Sequence, residues 1–128
     1  MIVDSSAIIA IVLREPGFDV LVAKFDGGPG AGVGAPTLAE TGLVLTTRIG
    51  KRGRPVLARF LQEAGIVVVP FGEDHWPVAI EAFARYGKGR HPAGLNFGDC
   101  LTYATARLAR QPLLCRGGDF SKTDLALA

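Results

Sequence analysis

Cysteine is scarce in this sequence, with two in 128 residues, Cys100 and Cys115, and no CxxC pair. A disulfide framework is therefore excluded, and both thiols read as reduced, buried small side chains. Long hydrophobic runs are missing as well: none approaches the roughly 18 to 20 residues of a membrane span. No basic stretch followed by a long apolar region accompanies the opening MIVD, so the expectation is a cytoplasmic chain without membrane contact. Charge of one sign is also lacking. Fourteen Lys and Arg stand against 12 acids, a net charge of +2, too little to mark a nucleic-acid binder by itself. No G-x-x-x-x-G-K-[ST] and no G-x-S-x-G occurs, which leaves a P-loop NTPase or an α/β-hydrolase unsupported. The stretch Gly30-Ala31-Gly32-Val33-Gly34-Ala35 fits G-x-G-x-x-A, yet no convincing strand precedes it and Pro36 interrupts the helix start. It reads as a loop.

What is present is an apolar fraction of 48% with a mean hydropathy of +0.30. A soluble globular chain follows, expected to form one domain over residues 1–128 that buries about two thirds of its unfolded surface. Residues 1–3 form a short apolar strand ending at Asp4, and Ser5 and Ser6 open an apolar helix that Pro16-Gly17 closes. GGPGAGVG at 27–34 is a flexible loop leading into a weak strand at 33–35. A second helix is expected over 37–49, a basic turn at 51–54, and a third helix over 56–64 ending at Gly65. IVVVP, from Ile66, is the clearest strand, and its three valines suit a strand buried on both faces. Helices follow at about 74–86 and after LNFGDC, where Leu101, Ala104 and Leu108 recur at helical spacing and put Asp99 on the other side, with Thr102, Tyr103 and Ala106. A last short strand spans 113–115. Short strands alternating with helices predict a three-layer α/β/α sandwich around a short, mostly parallel sheet.

In such a sheet the functional crevice lies beyond the carboxyl ends of the strands. Asp4 follows the first strand and Asp119 the last, Glu40 lies in the first turn of a helix leaving that edge, and Asp99 begins the helix that precedes the last strand. Each has a local explanation. Asp4 can cap a helix, Thr37-Leu38-Ala39-Glu40 matches a capping box, Asp99 suits a helix macrodipole, and Asp119 suits a turn. The case is joint: four carboxylates from distant parts of the chain, predicted at one end of one sheet. Together they repel one another until a divalent cation removes the penalty. Oxygen ligands without His or Cys suit Mg²⁺ or Mn²⁺, since His75 and His91 read as surface residues outside the cluster. Such ions activate water for in-line attack on a phosphodiester.

IVDSSAIIAIVLREP, the Glu40 helix, LNFGDCLTYATA and LLCRGGDFSKTDL together resemble the PIN-domain ribonucleases of the VapC type, the toxins of VapBC toxin–antitoxin pairs. The similarity spans almost the whole chain. It implies that Asp4, Glu40, Asp99 and Asp119 are the metal-binding catalytic acids, that Ser6 supports the site, and that Asp124 is an outer member or a cap. Gly118 stands where many relatives carry an acid. The resemblance further implies Mg²⁺- or Mn²⁺-dependent cleavage of structured RNA of the tRNA or rRNA class, homodimerisation, and neutralisation by a VapB antitoxin covering the groove. Basic residues at Lys51, Arg52 and Arg54, and at Lys88, Arg90 and His91 beside Tyr86, are compatible with holding an RNA backbone, Arg52, Lys88 and Arg90 above all. Two alternatives compete: a catalytically silent module that binds antitoxin or RNA, and a phosphoacceptor domain. The latter wants a second acid or a lysine where Ser5 and Arg116 stand.

Overall fold

The computed structural model describes residues 1–128. Its centre is a four-stranded parallel sheet in the order β3-β2-β1-β4, built from β1 (Ile2–Val3), β2 (Ala31–Gly34), β3 (Ile66–Val69) and β4 (Leu113–Leu114). The helices are α1 (Ser5–Val12), α2 (Phe18–Ala23), α3 (Ala35–Ile49), α4 (Gly53–Ala64), α5 (His75–Tyr86) and α6 (Phe97–Ala109). Strand alternation sorts the core into two halves. Ile2 and Leu113 face α5 and α6, while Val3 and Leu114, with Ala31 and Val33 of β2, face α1, α3 and α4. The three-layer expectation holds.

The expected strand at 33–35 begins two residues earlier, because glycine is functional within it. A Cβ on Gly34 would stand 2.8 Å from the Thr105 hydroxyl of α6 and one on Gly32 2.9 Å from a Val69 methyl. Bare backbone on that face lets α6 close onto the sheet. The G-x-G-x-x-A match therefore lies along a strand, not in a phosphate-binding turn. β3 corrects another expectation. Its valines are not buried on both faces: Val67 is 64% and Val68 49% exposed, because β3 is an edge strand. At the opposite edge residues 126–128 pair alongside β4, with Leu113 N–H donating to Ala126 O and Ala128 N–H to Leu113 O, each at 2.9 Å.

Helix boundaries move in ways that matter for the site. α3 starts at Ala35 with Pro36 in its first turn and Gly34 at the cap position, so Thr37 is inside the helix and the Thr37–Glu40 capping box does not form. Glu40 lies in the second turn, not the first. Arg54 belongs to α4 rather than to the basic turn, whose residues Gly50–Arg52 form a 3-10 turn. In α6 the buried side is Thr102 to Ala106, including the face that carries Asp99, whereas Leu108 is 40% exposed. Of the leucine stripe, Leu101 and Ala104 join the core and Leu108 does not. α2, hidden between Pro16-Gly17 and the glycine-rich loop, had no counterpart in the expected elements.

Candidate metal centre

Asp4 ends β1 and is only 4% exposed. It caps α1, its Oδ2 accepting from the Ser6 N–H at 3.1 Å and from the Ser6 hydroxyl at 2.6 Å, while its Oδ1 accepts from the Thr102 hydroxyl at 2.9 Å. Ser6 in turn accepts from the Arg116 N–H at 3.0 Å, which ties the ends of β1 and β4 together. The Ser6 hydroxyl thus links Asp4 to the chain just past β4.

Asp99 sits at the N-terminus of α6 in a capping box with Asn96: its Oδ2 accepts from Asn96 N–H at 3.0 Å and its N–H donates to Asn96 Oδ1 at 2.9 Å. The cap and the cluster coexist. Burial, opposed by the Asn96 hydrogen bond and reinforced by the charges of Asp4, Asp119 and Glu40, pushes the Asp99 carboxyl up to about 6. Burial and then Asp4, Asp99 and Asp119 likewise push the Cys115 thiol, just past β4, up to about 11. Cys115 is half-buried rather than buried, and protonated. Asp4 and Asp119 act on both groups.

Glu40 reaches the cluster from α3. Its carboxylate lies against the backbone of Gly98, where a Cβ would collide with Oε2 and stand 3.0 Å from Oε1. Nothing in the list of residue types with chemistry marks Gly98; its contribution is the space it leaves beside Asp99. Asp119 opens the 3-10 turn Phe120–Lys122 without a side-chain capping bond, so the turn explanation does not occupy its carboxylate.

No cation offsets these charges. The ion pairs are Arg59–Glu63, Arg85–Asp124, Arg107–Asp124 and Arg116–Glu15, and none involves the four acids. Arg116, whose backbone N–H bonds Ser6, directs its guanidinium to Glu15 at 3.1 Å and to Pro16 O at 3.2 Å. As the side chains stand, no three His, Cys, Asp or Glu are gathered tightly enough to hold a metal by themselves. Mg²⁺, which keeps several waters and takes only one or two carboxylates directly, does not require so tight a group. The donor set, all hard oxygen, fits the same ion.

Asp124 is not part of the cluster. Its Oδ1 accepts from the Tyr103 hydroxyl at 2.7 Å, and Arg85 and Arg107 each lie 3.5 Å from Oδ2. Burial alone would raise this carboxyl, but Tyr103, Arg107 and Arg85 outweigh it and hold it below the usual range. It fastens the C-terminal segment to α5 and α6. His75 and His91 also stay outside, each accepting a local loop N–H, from Gly72 and Ala93.

The sequence and the fold match a known family. The PIN-domain family model covers residues 1–125. Ribonuclease VapC36 of Mycobacterium tuberculosis is 48% identical over 126 residues, 98% of this chain and 91% of that protein. The chain belongs to the VapC ribonucleases of the PIN-domain family. Among solved structures, VapC20 of M. tuberculosis, described as a sarcin-ricin loop cleaving toxin, superposes with a TM-score of 0.79 at 20% identity, covering 99% of this chain and 97% of that one. VapBC2 of Rickettsia felis, bound to a DNA fragment from its promoter, gives 0.77 at 13% identity, covering 99% and 96%. These two show the shared fold.

Within this VapC chain the basic residues separate. Lys88 N–H donates to Leu95 O at 2.9 Å and closes the 88–94 loop directly before the Asn96–Asp99 capping box; Lys88 and Arg90 are both exposed on that loop, the Arg90 guanidinium 5.4 Å over the Phe83 ring. Arg52 follows the far end of α3, and from Glu40 to Ile49 the helix axis alone advances about 13 Å.

Proposed function

We propose that this VapC ribonuclease is the toxin of a toxin–antitoxin pair, and that Asp4, Glu40, Asp99 and Asp119 bind Mg²⁺ or Mn²⁺ to hydrolyse a phosphodiester in structured RNA. One observation supports the reading above all: the Asp99 carboxyl feels the charges of Asp4, Asp119 and Glu40, acids from three other segments, and no basic side chain is paired to any of the four. Bound there, the cation supplies water activation and stabilisation of phosphate oxygens. The chain's own residues do the rest. Ser6 and Asn96 fix two of the acids, Gly98 leaves room for a third, and Lys88 and Arg90 supply positive charge beside the site for the RNA backbone.

A VapB-type antitoxin is the partner in this reading. Phe97, 79% exposed, and Leu43, 72% exposed, give the acid site an apolar rim that an antitoxin segment would cover. A homodimer belongs to the same reading, with Trp76, Ile80 and Phe83 on one side of α5 exposed at 57%, 62% and 42%. The account places one PIN domain over residues 1–128, acting in the cytoplasm, where its two free thiols remain reduced. No helix is long and apolar enough to cross a membrane.

Cleavage of an end-labelled structured RNA by the purified chain tests the activity. Cutting that depends on added Mg²⁺ or Mn²⁺, stops in EDTA and stops on adding the antitoxin is the expected result. RNA that is bound but left intact at every metal concentration would favour the silent binding module instead.

A further inference from the structure

The metal-site reading leaves two buried hydroxyls without a role. Thr37 on α3 and Thr102 on α6 are 3% and 1% exposed, and their Oγ1 atoms stand 3.0 Å apart. Thr102 also reaches Asp4 Oδ1 at 2.9 Å. An ionised carboxylate only accepts, so the single Thr102 proton points to Asp4 and the Thr37 proton must point to Thr102. The chain of bonds has one direction.

Helical threonines ordinarily donate to the carbonyl four residues back. Thr41, Thr46, Thr47 and Thr105 do so here, at 2.7 to 3.0 Å. Thr102 forgoes that bond for Asp4. The placement is also systematic: Thr37 lies three residues before Glu40 and Thr102 three residues after Asp99, each on the same helical face as its acid. A pair of valines would fill the same space without a polar atom to satisfy, so packing alone does not call for the hydroxyls.

We propose that Thr37 and Thr102 are positioning residues, a buried hydroxyl relay that locks the Asp4 carboxylate and holds the Glu40 and Asp99 helices in register with it. This rests on the metal-site reading above. With Oδ2 occupied by Ser6 and Oδ1 by Thr102, the carboxylate cannot rotate, and its remaining lone pairs keep one aim. Partners that orient a metal ligand in this way typically change metal affinity by about 10- to 100-fold when removed.

Calorimetric titration of the purified chain with MnCl2 tests the relay, with thermal melts in EDTA as the check on folding. Thr102→Val is expected to weaken Mn²⁺ binding about tenfold, and Thr102→Ser, which keeps the hydroxyl, to stay within about twofold of wild type. Thr37→Val should lose about threefold, and the double valine variant no more than Thr102→Val alone, because the bonds act in series. If Thr102→Val does not fold, Thr37→Val and Thr102→Ser carry the comparison. Valine variants that bind Mn²⁺ as wild type does, or a serine variant as weak as the valine one, would overturn the relay. A wild-type chain that takes up no Mn²⁺ would overturn the metal reading and the relay together.

Discussion

Replacing Asp99 by asparagine is expected to abolish RNA cleavage and, in the metal-free chain, to make the fold more stable. Removing an acid from the centre should cost several kcal/mol of transition-state stabilisation, a loss on the order of a thousandfold in rate. The capping box survives, because an asparagine oxygen can still accept from Asn96 N–H. The stability gain comes from charge. The Asp99 carboxyl stands at about 6 in the folded chain against 3.8 ordinarily, raised by burial and by Asp4, Asp119 and Glu40. Between those values the folded state binds the extra proton, so stability falls as pH rises through this window, and the penalty is complete above about 6. Asparagine carries no such penalty. Solvent screening at a half-buried group reduces the expected gain to on the order of 1 kcal/mol, or about 3 °C in melting temperature at pH 7 in EDTA. At pH 4 the two melts should converge. A variant that melts below wild type at pH 7 without metal would contradict a penalty on the ionised Asp99 carboxyl from burial and its neighbouring acids.

Gly98→Ala is the second large effect, and its two readouts should move in opposite directions. The added methyl collides with the end of the Glu40 side chain, which is flexible and faces solvent, so the fold can yield by moving that carboxylate. Alanine is also the better residue within a helix by up to about 1 kcal/mol. The variant should therefore melt at or above the wild-type temperature. Cleavage should fall by about a hundredfold, because Glu40 no longer lies beside Asp99, and a small misplacement at such a site has that consequence. Rates on labelled RNA and melts in EDTA, taken on the same preparation, separate the two. Full activity in Gly98→Ala would show that Glu40 acts from elsewhere.

The parts of this site that were legible in the sequence are those with charge and a strand beside them. Asp4 and Asp119 follow short apolar runs, and in a parallel sheet every strand's carboxyl end faces one edge. Asp99 could be placed because its helix must run antiparallel to the strands. Glu40 was read in the right helix but in the wrong turn, since Pro36 looked like an interruption when it is a favourable first-turn residue. Thr37, Thr102 and Gly98 escaped because they carry no titratable group; their roles depend on which helix faces lie against each other. β2 is half hidden for a related reason, its glycines signalling a loop until Gly34 is seen against α6 and Gly32 against Val69 of β3. The exposure of Val67 and Val68 follows from strand order, which local composition does not encode. Asp124 is open in the sequence between an outer member of the site and a cap, because its partners Tyr103, Arg85 and Arg107 come from two helices that local sequence does not bring together.

Crystals of the chain soaked in MnCl2, with diffraction recorded at the manganese absorption edge, address the central claim most directly. The account predicts an anomalous peak bounded by the carboxylates of Asp4, Glu40, Asp99 and Asp119, lost in the Asp99→Asn variant. A peak at any other set of side chains, or none at millimolar Mn²⁺, would contradict it.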